Sequence, residues 1–308
     1  VTLDQLRIFL AVAEREHVTR AAEALNLTQS TVSGAINALE TRHDVKLFHR
    51  VGRRIELTEA GKALAEEAKA ILARVRAAET AMADLSGIRR GTLTVFASQT
   101  IASYWLPRLL VRFYDRYPQI DLRLEVGNTA QCTRAVMAGA ADLGFIEGTI
   151  DEPSVSVELI ATDRLVIVVG REHPWTKRPP VLPQDLSQTE WVLREPGSGT
   201  RSSFEGALRG CGLRPDDLRI AIELPSNEAI CAAVEAGQFA TAVSETVAQA
   251  GVSAGRLVIM PLELPSRAFS LIRHRERHRT RASEAFRELI VADRATKPAA
   301  GAEATPWR

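Results

Sequence analysis

The sequence predicts an α/β protein built as an N-terminal helix-turn-helix with a basic wing, a long connecting helix, and a two-lobed α/β region. Three observations carry this. Residues 26–39 (NLTQSTVSGAINAL) form a helix that is apolar on one side and lined with short uncharged polar groups on the other. A heptad seam then runs from Leu64 to Leu85. From Gly91 onward, β-rich runs alternate with helical ones. With 308 residues, 45% hydrophobic and 25% charged, the chain has the material for two or three soluble, well-cored domains.

At the N-terminus, Thr2 and Gln5 stand at capping-box spacing, and Leu6, Phe9, Leu10 and Ala13 form a helical stripe. A second helix is expected after Thr19 as its cap; it buries Ala21, Ala22 and Leu25, small enough for two helices to cross closely. Asn26 suits a left-handed turn, and Thr28 caps the third helix. In that helix Val32, Ala35, Ile36 and Leu39 face inward. Gln29, Ser30, Thr31, Ser33, Gly34 and Asn37 supply the other surface, where an ordinary exposed helix carries Lys, Glu and Arg. Short donors and acceptors of this kind suit a helix that enters a DNA groove and touches base edges.

Residues 45–57 (VKLFHRVGRRIEL) read as a two-stranded wing with its tip near Val51 and Gly52. Lys46, His49, Arg50, Arg53 and Arg54 place five basic or potentially basic groups within nine residues, a local patch hidden by the overall net charge of +1. Such a hairpin is sometimes only a solvated face. Beside a helix-turn-helix, phosphate contact by Arg50, Arg53 and Arg54 is the better reading.

Thr58 caps the long helix, in which Leu64, Ala68, Ile71, Val75, Ala78, Met82 and Leu85 recur in steps of four and three. A seam held over about three heptads is the pattern of a helix pairing with another helix. Packing on its own domain is the plain alternative; the several alanines and polar flanks favour self-association. At about 1.5 Å per residue, roughly 28 residues span about 40 Å. Gly87 and Gly91 mark its end. Beyond them, strands are expected near 93–97, 122–126, 143–147, 155–160, 164–169, 190–193, 219–224, 241–244, 257–261 and 268–273. Helices lie between them, including a continuous one reaching Tyr117, and a last one spans about 281–293. This alternation means a largely parallel sheet, and roughly 200 residues suit two small sheets better than one large one.

Several classes drop out. Cys132, Cys211 and Cys231 are odd in number and in no metal spacing, which points to reduced thiols; a redox pair of Cys211 with Cys231 is the minor alternative. No metal site, catalytic residue or cofactor is expected, since the chain has no nucleophile elbow, no phosphate loop ending in Gly-Lys-Ser/Thr, and no clustered His, Cys and Asp. An α/β-domain enzyme and a plain solute-binding protein are therefore the weaker readings. With no apolar run of about 18 residues and no export signal, no membrane contact and a cytoplasmic location are expected.

The phrases LRIFLAVAE, TRAAEALNLTQSTVSGAINALE and LFHRVGRRIELTEAG, followed by LPRLLVRFYDRYPQIDL, ADLGF and EAICAAVEAG, resemble LysR-type transcriptional regulators from Thr2 to about Asp293. The resemblance implies a winged helix-turn-helix over 1–58 and a linker and dimerisation helix over 59–90. It further implies a periplasmic-binding-protein-like effector domain, with lobe one at 91–161 plus 267–293, lobe two at 162–266, and a disordered tail at 294–308. It also implies homodimers assembling to a tetramer as a dimer of dimers, double-stranded promoter DNA as partner, RNA polymerase as a candidate partner, and a small effector that changes DNA bending. Many relatives carry Arg where this chain has Gly34 and a longer polar residue where it has Ala35. Base contacts then fall to Gln29, Ser30, Thr31, Ser33 and Asn37, beside the capping Thr28.

In open α/β lobes, ligands sit at the carboxyl ends of strands, where helix starts present free N–H groups. The candidate positions are Ser98, Gln99 and Thr100 after one strand, Asn128 and Thr129 after the next, and Glu147 at the end of the third. In the second lobe they are Glu195, Gly197, Ser198, Gly199 and Thr200 within REPGSGTR, with Asn227 opening another helix. Hydroxyls, glycines and amides at helix starts suit a carboxylate or small inorganic oxyanion, although the same residues are also common N-caps. Glu147 and Glu195 oppose a bare anion unless they pair with Arg194 or Arg201, or accept from an amine or a protonated group. REPGSGTR resembles the branch of the family concerned with sulfur assimilation and carbon fixation, which points to a sulfur oxyanion such as sulfite.

Overall fold

The structure is a computed structural model, and it describes residues 1–51, 54–85, 91–180 and 182–295. The chain divides into two compact units, the first spanning Val1–Leu85.

In the first unit, α1 (Leu3–Arg15) begins with the capping box: Gln5 N–H donates to Thr2 Oγ1, and Thr2 N–H donates to the Gln5 side chain. Helix α2 (Val18–Leu25) starts at His17, which makes no side-chain cap bond, so Thr19 lies inside the first turn and does not cap it. The α1–α2 turn places Glu16 in the left-handed region, and that change of direction starts α2 earlier than the hydroxyl suggested. Asn26 takes φ 54°, and α3 (Gln29–His43) begins at Thr28, whose Oγ1 accepts from Thr31 N–H. Val32 and Leu39 are fully buried, with Ala35 and Ile36 packed beside them against α1 and α2.

The wing is β1 (Phe48–Val51) paired antiparallel with β2 (Arg54–Leu57). Helix α4 (Glu59–Leu85) is capped by Thr58, which accepts from Gly61 N–H while donating to Lys46 O. Gly61 is required by a close approach: a Cβ there would lie 2.2 Å from Leu47 O. The buried acid Glu40 joins α3 to the wing. Its carboxylate accepts from Leu47 and Phe48 N–H and pairs with Lys46 at 2.6 Å. Burial alone would raise its pKa, but Lys46 and the two backbone N–H groups outweigh burial and hold it below the usual carboxylate range.

The second unit holds two five-stranded sheets. The first contains β3 (Gly91–Ser98), β4 (Ile120–Gly127), β5 (Leu143–Glu147), β6 (Val155–Asp163) and β12 (Arg267–His274), in the order β4-β3-β5-β12-β6. The second contains β7 (Leu165–Gly170), β8 (Glu190–Arg194), β9 (Arg219–Leu224), β10 (Phe239–Ser244) and β11 (Leu257–Ile259), in the order β11-β7-β10-β8-β9. Both sheets are mixed. Four of the five strands in each point the same way, but β12 is antiparallel to its neighbours β5 and β6, and β7 to β10 and β11. The expectation of a largely parallel sheet breaks at these two strands because the chain crosses between sheets twice, at Arg164 and again before Arg267, and a strand arriving from the other sheet runs the opposite way.

Helices α5 (Pro107–Arg116) and α10 (Arg281–Ala295) lie on one face of the first sheet, where Phe286 packs on both Phe113 and Phe145. Helix α6 (Thr129–Ala138) covers the other face. Helix α7 (Gly199–Gly210) covers one face of the second sheet, and α8 (Asn227–Ala236) with α9 (Glu245–Ser253) covers its other face. Coverage on both sides explains why β5 and β7 are buried along their whole length and read as continuous apolar runs. The sequence reading lacks α9, and its continuous helix to Tyr117 is a π-helical turn, Ile101–Trp105, followed by α5 starting at Pro107. Helix α10 continues through Ala295, so 294 and 295 are helical; the rest of the expected tail lies outside the described residues.

Glu40→Gln removes the charge but not the bulk, and two charge-assisted bonds to buried backbone are worth about 1.5–3 kcal/mol each. The variant is expected to melt earlier than the parent at neutral pH. Because the native pKa of Glu40 lies below its unfolded value, its stabilisation is present above the unfolded pKa and lost as pH falls through the native one. The two melting curves should therefore converge in acid, as measured by circular dichroism; a difference independent of pH would refute this account of Glu40.

Candidate functional site

The surface of α3 that faces away from the core consists of Gln29, Ser30, Thr31, Ser33, Gly34 and Asn37, all exposed. Thr28 Oγ1 lies 2.9 Å from Ser30 Oγ and 2.8 Å from Thr31 Oγ1, so three hydroxyls form one cluster at the helix start. A Cβ at Gly34 would meet nothing within 4 Å, so the glycine is not imposed by packing. It leaves a shallow place in a surface otherwise made of short polar side chains. On the wing Arg50 is exposed, and His49 lies 3.7 Å from Glu56. Lys46 is paired with Glu40, which reduces its part in a basic patch. Arg54 lies on β2, and Arg53 lies outside the described residues.

Along α4 the seam positions separate. Ala68 is fully buried and Leu64 partly so, both within the core formed with Leu6, Phe9 and Leu39. Those two positions are therefore used inside their own unit. Ile71 is 40% exposed and Met82 74%, with Ala78 exposed and Val75 half-buried between them. Leu85 ends the helix, and its side chain is outside what the structure describes.

The carboxyl ends of β3, β5, β8 and β10 converge on one polar cleft between the two sheets. Four adjacent strands of the first sheet contribute a row: Ser98 ends β3, Glu147 ends β5, Arg267 begins β12 and Asp163 ends β6. All four are buried. Opposite them stand Arg194, ending β8, and the starts of α7 and α8.

Bonds across the cleft join most of the expected residues. Asn227 N–H donates to Gln99 Oε1 at 2.8 Å, and Asn227 Nδ2 to Thr100 Oγ1 at 3.2 Å. Asn128 caps α6 through Oδ1 and donates from Nδ2 to Glu195 Oε1 at 3.1 Å. Thr129 Oγ1 donates to Glu147 O, and Ala130 N–H to Gly197 O. Gly197 has φ +88°, a conformation that favours glycine, and Gly199 packs so closely that a Cβ would lie 2.4 Å from Glu147 O. The two glycines thus serve the close approach of the lobes. Thr200 Oγ1 accepts from Arg267 Nη1 at 2.8 Å.

Of the cleft groups expected from sequence, three remain available. Ser98 Oγ is buried without a hydrogen-bond partner. Ser198, the first residue before α7, makes no side-chain cap bond. Glu195 is neutralised by Arg194, whose Nε and Nη2 reach it at 2.8 and 3.0 Å, while Arg201 pairs instead with Glu205 and Glu223. Glu147 is different: among the described residues no donor reaches its buried carboxylate, and burial of Asp163 beside it raises the Asp163 pKa despite Arg267. The cysteines take no part. Burial pushes the Cys132 thiol up to about 12, and burial with Glu235 and Glu228 pushes Cys231 up to about 11, so neither offers a ready thiolate.

Residues 86–295 match the LysR substrate binding domain, and residues 3–62 match the bacterial regulatory helix-turn-helix protein, lysR family. The chain belongs to the LysR family. It is a DNA-binding transcriptional regulator with an effector-binding domain. A probable RuBisCO transcriptional regulator from Trichormus variabilis is 35% identical over 300 residues, covering 96% of this chain and 89% of the relative. Among solved structures, full-length CbnR complexed with its target DNA aligns with TM-score 0.68 at 24% identity, over 95% of this chain and 99% of that one. The Synechocystis PCC6803 CcmR regulatory domain in complex with 2-PG aligns with TM-score 0.61 at 23% identity, over 68% of this chain and all of that one. No helix among the described residues of this LysR-family regulator is long and apolar enough to cross a membrane.

The sequence reading missed Asp163 and Arg267 as cleft residues. Arg267 precedes a strand, and only the antiparallel return of β12 brings its first residue to the carboxyl ends of β3 and β5.

Phosphate contact by the wing makes a definite demand on salt dependence. Replacing Arg50, Arg53 and Arg54 with alanine is expected to weaken binding to operator and random DNA alike, and to flatten log affinity against log salt by up to about one unit for each phosphate left unneutralised. Electrophoretic titrations at several salt concentrations measure this. An unchanged slope refutes the wing as the anchor.

Proposed function

We propose that this LysR-family regulator senses a small oxyanion that also carries a hydrogen-bond donor, bound in the cleft between the two sheets, and that occupancy alters promoter bending. One observation carries the reading: of the two cleft carboxylates, Glu195 is neutralised by Arg194, whereas Glu147 stands buried with no donor among the described residues. A bare dianion would be repelled there. An oxyanion with a proton or hydroxyl can present that hydrogen to Glu147 and its oxygens to the α7 N–H groups and the Ser98 and Ser198 hydroxyls. Sulfite fits, since a large share of it carries a proton near neutral pH. RuBisCO regulation in the T. variabilis relative and 2-PG in CcmR support a small-molecule effector linked to carbon fixation as an equally direct set of probes. An amine effector is the second reading, favoured by Glu147 alone.

Base contacts are assigned to Gln29, Ser30, Thr31, Ser33 and Asn37, beside Thr28, with phosphate contacts from the wing. Short side chains read few bases, so affinity depends on several copies acting together. Self-association is assigned to the exposed part of α4, with a dimer of dimers as the working assembly and RNA polymerase at the promoter as the recipient of any change in bend. The domain limits we assign are 1–58 for DNA binding, 59–90 for pairing, 91–161 with 267–293 for the first lobe and 162–266 for the second.

Two measurements test this. Thermal shift with sulfite, sulfate, phosphate and 2-PG should reveal a stabilising anion, and footprinting the upstream region with that anion should show an altered pattern. Glu147→Gln is expected to weaken the protonated anion and strengthen sulfate by about tenfold each, the scale of one charge-assisted hydrogen bond; unchanged selectivity overturns the role of Glu147. Ile71→Glu with Val75→Glu should yield monomers in sedimentation, and intact dimers would remove α4 as the pairing surface.

A further inference from the structure

Arg267 opens β12 at the second crossing between the sheets, and its side chain is only 3% exposed. Nε donates to Asp163 Oδ2 at 2.7 Å, and Nη1 donates to Thr200 Oγ1 at 2.8 Å. Nη2 lies equally close to that Asp163 oxygen, but its N–H groups do not point along a hydrogen bond, and Nη2 is a buried donor without an acceptor. Of five guanidinium N–H groups, most are thus unused in a place where an unused donor is costly. Ser98 Oγ, on the same edge of the same sheet, is also buried without a partner. Thr200 accepts from Arg267, so its own hydrogen is left to donate onward, beside the free N–H groups at the start of α7.

We propose that Arg267 is an anion-recognising residue of the effector cleft, donating from Nη2 and the remaining Nη1 N–H to an oxyanion oxygen. Thr200, Ser98 and the first turn of α7 complete its shell. The inference rests on the oxyanion reading above. It gives Asp163 a definite part as well: this carboxylate, held by Ser244 Oγ at 2.7 Å, orients the guanidinium and offsets its charge, which weakens the pull on a ligand. A guanidinium that only staples the two crossings together makes the opposite demand on Asp163, because any loss of the pair then loosens the site.

The sign of the Asp163 effect separates the two roles. In calorimetric titrations of the full chain with sulfite, sulfate, phosphate and 2-PG, Asp163→Asn is expected to tighten the best-binding anion by about tenfold, through loss of a competing negative charge. The double variant Asp163→Asn with Arg267→Met, which removes both charges of the pair together, is expected to bind that anion at least about tenfold more weakly than the parent while still melting cooperatively. Equal or weaker binding by folded Asp163→Asn, or parental affinity in the double variant, overturns the proposal. If Asp163→Asn does not fold, Arg267→Lys decides: it keeps the charge but not the fork, so a loss of about tenfold supports the assignment and unchanged affinity ends it. If the parent protein binds none of the four anions, the oxyanion reading itself falls, and this inference with it.

Discussion

The effector half of the chain is governed by the cost of burying charge between two sheets. Asp163, Arg267, Arg194 and Glu147 are all removed from water, where a charge is costly unless it is paired. The groups that meet this cost are Asp163 and Thr200 for Arg267, both remote in sequence, and the adjacent Glu195 with the remote Asn227 for Arg194. Each charge pair lies on one side of the cleft, and the bonds that cross it join a charged or polar group to a neutral one: Arg267 to Thr200, Asn128 to Glu195, and Asn227 to Gln99 and Thr100. At Gly199 the backbone of β5 comes near enough to α7 to exclude any side chain. What remains unpaired within this arrangement, Glu147, Ser98 and Nη2 of Arg267, is what the proposed effector would meet.

The DNA-binding half follows a different constraint. Its core is small, and α3 must be apolar on one side while keeping short groups on the other. Glu40 resolves the junction: it sits at the inner end of α3, yet its carboxylate is fully engaged by wing backbone and Lys46. The same helix that presents hydroxyls outward thus fixes the wing that carries Arg50. Gly34 costs helix stability, about 1 kcal/mol relative to alanine, and no packing requirement offsets it. Its effect is on the shape of the outward surface.

The pattern in α4 shows how a correct periodicity can serve two partners. Leu64 and Ala68 belong to the same heptad series as Ile71, Ala78 and Met82, but the first two meet α1 and α3 while the later ones are exposed. Periodicity reports that a face is apolar and says nothing of what covers it. For the same reason, the α9 helix and the break at Leu106 escaped the sequence reading. Helix α9 is short and follows directly on β10, and the π-helical turn before Pro107 keeps apolar residues at helical spacing.

Local chemistry was legible in the chain itself: the apolar faces of α1 and α3, the caps at Thr2, Thr28 and Thr58, the hydroxyls and glycines at helix starts, and the family the chain resembles, though not the cap of α2 or helix α9. These properties depend on residues a few positions apart. Tertiary structure settled the charge pairing: Arg194 adjoins Glu195 in sequence and reaches it, Arg201 turns to Glu205 and Glu223, and no arginine among the described residues reaches the Glu147 carboxylate. It also decided the mixed sheets, the division of the α4 seam, and the presence of Arg267 beside Thr200, a pairing between positions 67 residues apart. The outward surface of Asn26–Leu27–Thr28 and α3 needed no tertiary information to be recognised. The charge balance of the cleft could not be read without it, since electrostatic pairing in a buried site is a property of distance in space.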